Sequence, residues 1–155
     1  MSIENDVSSL LSDELQQLKQ ELVSSITQAG KSATGRTVNA IQVFASGKRG
    51  RLEAPSHLFT LETGRGPARG GSSDKQQFIE NLKAWIVAKG IPYKDENDLQ
   101  RLASFFRWYI NKFGTKQYRS GGRNDIITPA IEKFLKSVNS KIPNLYSSKL
   151  SGILG

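Results

Sequence analysis

Three stretches of the chain hold residue types that bind phosphate or move protons. Residues 61–71 read LETGRGPARGG, with four glycines, two arginines and a proline. Glycine lets a backbone approach a ligand closely, and arginine grips phosphate or carboxylate through paired hydrogen bonds. Residues 28–37, QAGKSATGRT, contain Gly30-Lys31-Ser32, which has the form of the end of a phosphate-binding loop. The third feature is His57, the single histidine of a chain without cysteine.

None of the three has the context its chemistry needs. A phosphate loop requires a glycine where Ser25 stands, and it follows a strand and opens a helix. Here the order is helix, then strand. Gly64-x-Gly66 lacks the third glycine of a dinucleotide loop, since Arg69 occupies that position. His57 sits beside an apolar segment, away from any cluster with metal-ligand spacing. Glu62 is the one carboxylate next to the glycine-rich stretch, and pairing with Arg65 or Arg69 is its simplest role. These observations argue against an enzyme, and no catalytic, cofactor-binding or metal residue is assigned.

The elements around these loops follow from periodicity. Leu11, Leu15, Leu18, Leu22, Ile26 and Ala29 recur at steps of three and four, so a first helix ends at Gly30, with residues 1–8 as a loose arm. Val38, Ala40, Val43 and Ala45 roughly alternate, with Ile41 out of step, and GKRG supplies turn glycines. This predicts a hairpin with strands near 36–45 and 50–55. SHLFTLETG suggests one or two helical turns. Ser73 or Asp74 then caps a helix with a Phe78, Leu82, Trp85 and Ile86 stripe, stopped by Lys89-Gly90.

A third helix opens at Asp95–Asp98 and carries Leu99, Leu102, Ala103, Phe106, Ile110 and Phe113 inward. Phe105, Trp108 and Tyr109 widen its apolar surface beyond one face. Residues 111–124 form a basic loop. Asn124 or Asp125 caps a fourth helix, with Pro129 tolerated in its first turn. The predicted fold is α+β: a long N-terminal helix, a small antiparallel hairpin, three helices and a C-terminal tail. Residues 1–140 form one domain, and 141–155 form an apolar tail that docks on a neighbouring subunit through Leu145, Tyr146, Leu150, Ile153 and Leu154.

Charge is unevenly spread. Of 155 residues with net charge +8, the first hundred hold twelve Lys/Arg and twelve Asp/Glu. The remainder holds ten Lys/Arg against Asp125 and Glu132, so the whole excess lies in the last third. That third is expected to face nucleic acid or an acidic neighbour, with Lys112, Lys116, Arg119 and Arg123 as the basic loop. The longest apolar runs are far short of the ~20 residues of a membrane span, and MSIENDVSSL lacks the pattern of a secretory signal.

Taken in order, ATGRTVNAIQV, LETGRGP, FIENLKAWIVAKGI, RLASFFRWYINKFGTK and IITPAIEKFL resemble the tail-completion or neck protein family of tailed bacteriophages. The match spans residues 33–135, and the YRSGGRNDIIT region is longer and more basic than the family pattern. The resemblance implies a non-enzymatic virion protein of the head–tail connector, made in the host cytoplasm and placed in the phage neck. It would form a ring around the DNA channel, twelve-fold rather than six-fold. Its partners would be copies of itself, portal or adaptor proteins and tail proteins, with non-specific contact with DNA and no membrane. Glu62, Gly64, Arg65, Gly66, Pro67 and Arg69 would then form an inter-subunit or partner loop. The alternative is a small basic accessory protein that binds DNA non-specifically.

Overall fold

The computed structural model describes residues 2–31, 34–68 and 74–155. Helix α1 runs Ile3–Gln28, α2 is a single turn Arg36–Asn39, and strands β1 (Gln42–Ser46) and β2 (Arg49–Glu53) form an antiparallel hairpin. A 3₁₀ turn, Ser56–Phe59, leads into α3 (Thr60–Thr63). Then come α4 (Lys75–Ala88), α5 (Glu96–Phe113), α6 (Lys116–Arg119) and α7 (Thr128–Leu154). The fold is α+β, dominated by helix.

The apolar stripe of α1 is its buried face, with Val7, Leu11, Leu15, Leu18, Leu22 and Ile26 all below a tenth exposed. Residues 2–8 are not a loose arm. The Ser2 hydroxyl accepts from the Asn5 amide, and the helix starts at Ile3. At its other end Gly30 takes φ +68° and the Lys31 amide reaches back to the Ile26 carbonyl, closing the helix as glycine does at this position.

The hairpin is shorter than the expected 36–45 and 50–55. Gly35, at φ +74°, starts one helical turn instead, which delivers Ile41 fully buried into the core before β1 begins. The residue that broke the alternation is thus the one that plugs the core. Gly47, at φ +56°, is the first central residue of a two-residue turn that pairs Ser46 with Arg49. Val43, Ala45 and Leu52 face the α1 core, which also takes Leu58, Ile126, Ile127 and Ala130. A second core lies between α4 and α5, around Ile79, Leu82, Ile86, Leu99 and Ala103, with Trp85 edge-on to Phe106.

Residues 141–155 are not a separate tail. Helix α7 continues through Pro143, whose ring removes one backbone donor without ending the helix. The reason lies in its partner. α7 packs antiparallel to α1, and Lys133, Lys141 and Lys149 meet Glu21, Glu14 and Asp6 in turn. Two of these pairs flank the proline and hold the distal half of α7 against α1. Part of the positive excess is therefore met within the chain, by the acids of its first helix.

The three rungs differ in weight. Glu14 is 6% exposed, and hydrogen bonds from Lys141, then from Ser137, hold its carboxyl below the usual carboxylate range. Lys141→Ala leaves that carboxylate buried without its cation, an expected loss of about 1–3 kcal/mol. Lys133→Ala touches the exposed Glu21 pair and is expected to change stability by no more than about 0.5 kcal/mol. Urea denaturation of the two variants checks the difference.

Candidate functional site

The stretch LETGRGP is held by a second glycine loop of the same chain. After α3, Gly64 turns the backbone at φ +75° and Arg65–Ala68 runs past residues 111–118. The Arg65 amide donates to Thr115 Oγ1 at 3.0 Å, and the Thr115 amide donates to the Arg65 carbonyl at 2.8 Å. The Ala68 amide donates to the Asn111 carbonyl at 3.0 Å. Thr115 also caps α6, its hydroxyl accepting from the Tyr118 amide. The Gln117 side-chain amide donates to both the Leu61 and Glu62 carbonyls, while its oxygen accepts from Lys31 Nζ. Burial first, then the neighbouring Arg123 and Lys89 charges, push the Lys31 ammonium pKa down.

The glycines serve this packing. A Cβ on Gly64 would lie 2.3 Å from the Tyr118 amide nitrogen, and one on Gly66 would lie 3.1 Å from the Tyr118 ring. The loop is thus occupied by its own chain along this side.

Among the described residues Glu62 pairs with no arginine, Arg65 included. Its buried Oε1 accepts from the backbone amides of Ile126, Ile127 and Thr128 at 2.9, 2.5 and 3.0 Å, and Oε2 accepts from the Thr128 hydroxyl at 2.8 Å. These amides lead into the first turn of α7, where the helix dipole also favours a negative charge. Neither Asn124 nor Asp125 caps α7; Ile127 is the N-cap residue and offers no side-chain oxygen. Burial alone would raise the Glu62 carboxyl, but the three amides and the hydroxyl outweigh it and hold the group below its ordinary range.

Arg65 lies with its guanidinium over the Phe78 ring, 4.1 Å from the centroid, which ties the loop to α4. Pro67 is exposed. Arg69 lies outside the described residues. Arg123 grips Asp125 through two bonds of 2.5 and 2.6 Å.

Residues 111–124 are only partly a loop, since α5 runs to Phe113 and α6 follows the Gly114 turn. Lys112 sits over the Trp108 and Phe113 rings at 5.1 and 5.2 Å, and Arg119 over Tyr109 at 5.2 Å. Lys112, Lys116 and Arg119 make no ion pair among the described residues. Of the apolar residues assigned to docking, Leu145 and Tyr146 are half-buried along α7. Leu150, Ile153 and Leu154 are 58, 79 and 86% exposed.

The chain matches no family model, no curated protein and no solved structure. Its own geometry carries the functional reading. His57 Nε2 lies 3.0 Å from the Thr37 hydroxyl, a tie between two surface segments. Among the described residues no cluster of His, Asp or Glu is placed to hold a metal ion, and no helix is long and apolar enough to cross a membrane. A cleft of about 260 Å³ beside the two glycine loops is lined by Lys31, Arg65 and Lys116 together with Thr60, Thr115 and Gln117. Sequence reasoning missed Gln117 and Thr128 as organisers of this region. A glutamine in a basic loop and a threonine ahead of a proline carry no periodic signal, and only Thr115, directly after a helix-stopping glycine, was readable as a cap.

Proposed function

We propose that this protein is a non-enzymatic structural subunit of a tailed bacteriophage, forming a ring in the neck between portal and tail around the DNA channel. The observation that carries the reading is the far end of α7. Leu150, Ile153 and Leu154 form an apolar tip that one copy of the chain leaves open to water. A contiguous exposed apolar surface of this kind marks a place where another protein sits. In a closed ring each subunit offers two different patches to its neighbours, so a tip of this type has a natural counterpart on the next copy or on a stacked collar.

The resemblance to neck proteins supplies the context. Its motifs fall at the element boundaries that shape the chain: Gly35 before α2, Gly64 after α3, Gly90 after α4, Gly114-Thr115 between α5 and α6, and Pro129 in the first turn of α7. The glycine loop serves the subunit by joining α3, α6 and α7 rather than by reaching out through Glu62.

Replacing Leu150, Ile153 and Leu154 together by aspartate should leave the melting temperature within a few degrees, because these side chains bury little in the single chain. Phage carrying the variant should accumulate full heads and separate tails in electron micrographs. Normal infectious titres, or purified virions that lack this chain altogether, would overturn the proposal.

A further inference from the structure

Residues 99–124 contain six Lys/Arg and six aromatic residues and not one Asp or Glu. Helix α5 and the short α6 bring much of this stretch to one surface. Arg101, Phe105, Trp108 and Lys112 recur at steps of three and four, so they share the outer face of α5, opposite Ala103 in the α4–α5 core. Phe105 and Trp108 are 54 and 50% exposed, with ring centroids 6.0 Å apart. Phe113, 40% exposed, lies 6.1 Å beyond Trp108. Tyr109 contacts Phe105, Trp108 and Phe113, so the rings form one continuous platform. Lys112 and Arg119 lie directly against these rings, and neither has a carboxylate partner among the described residues.

We propose that this face binds single-stranded nucleic acid, with unpaired bases stacked on Phe105, Trp108 and Phe113 and phosphates held by Arg101, Lys112 and Arg119. The ligand must use both halves of the surface. A purely apolar partner would strip water from three cations and return nothing to them, whereas an acidic loop would leave the rings wet. A single strand carries a flat ring and a negative charge on every unit, and aromatic platforms flanked by cations bind such strands without regard to sequence. A duplex offers phosphates but keeps its bases stacked away from the platform. The site is independent of the ring-subunit reading, since it uses α5 and α6 and not the tip of α7.

The test is fluorescence anisotropy of the full chain with a labelled oligothymidylate longer than about 16 nucleotides. A duplex of equal length and unlabelled polyglutamate serve as the comparisons. The single strand should bind more tightly than the duplex, and the logarithm of its affinity should fall against the logarithm of salt with a slope of about −2, from about 0.7 per phosphate neutralised. Trp108→Ala should weaken binding about tenfold with an unchanged melting curve, and Trp108→Phe should restore most of it. Equal affinity for duplex and single strand together with an unaffected Trp108→Ala would overturn the proposal, because phosphate contacts alone would then suffice. So would preferential capture of polyglutamate, which would mark the face as a seat for an acidic protein, or absence of binding at low salt.

Discussion

Glu62→Ala is expected to destabilise the protein by about 3 kcal/mol or more, because three backbone amides at the start of α7 lose their acceptor inside the core. Each unsatisfied buried donor costs about 1–3 kcal/mol, and the N-cap residue Ile127 offers no side-chain oxygen in its place. For a domain of this size the melting temperature should fall by roughly 6–12 °C. Glu62→Gln is a sharper probe. Its carbonyl oxygen can stay on the three amides and its NH₂ can donate to the Thr128 hydroxyl, so it isolates the loss of the charge and should be less destabilising than Glu62→Ala.

The same contacts fix the sign of the pH dependence. The folded carboxyl is held below its unfolded value, so its contribution is complete above the ordinary glutamate range near about 4.3. As pH falls below that range the unfolded chain takes up the proton first, and stability declines until the folded carboxyl is protonated as well. Wild type should therefore lose stability between about pH 5 and pH 3 more steeply than Glu62→Gln. Parallel acid curves for the two would show that Glu62 is not the charged cap of α7.

Gly64→Ala should cost about 4 kcal/mol, from two sources that add at one position. The backbone is at φ +75°, where a side chain is strained, and the new methyl would lie 2.3 Å from the Tyr118 amide nitrogen and 2.8 Å from its Cα. Backbone cannot swing aside as a side-chain tip can. The loop must then part from α6, and the two Arg65–Thr115 bonds go with it. Gly30→Ala is the control. Its φ is +68° and its Cβ would meet open space, so it should cost only the conformational strain, about 1 kcal/mol. Similar losses for both variants in urea denaturation would show that close packing of the two glycine loops contributes little.

The wheel of α1, the stripes of α4 and α5 except Phe113, which is 40% exposed and not inward, a glycine turn between the strands, and Asp74 as one of two candidate caps were legible in the residues. These features depend on neighbours within a few positions, where periodicity and capping chemistry act directly. Ile41 shows the limit of that rule. As an apolar residue out of step it looked like noise in a strand, yet it is fully buried because a helical turn, not a strand, precedes it.

The last helix shows another limit. The residues 141–155 have no clean apolar period, since one of their faces is written for lysine contacts with α1 and their tip is left apolar. Periodicity states which side of a helix avoids water but not which element will cover it. A cation count likewise reports an excess and not its partner, and here three lysines of α7 spend their charge on the acids of α1.

Helices α1, α4 and α5, the hairpin and the concentration of rings and cations in residues 99–124 were thus legible in the sequence alone. The pairing of Glu62 with amides more than sixty positions away, the meeting of two glycine loops at Tyr118 and the exposure of the Phe105–Trp108 platform were decided only when the chain closed on itself. The physical reason is that a buried carboxylate, a missing Cβ and an uncovered ring take their meaning from what lies across the gap, and that neighbour is set by the packing of distant helices.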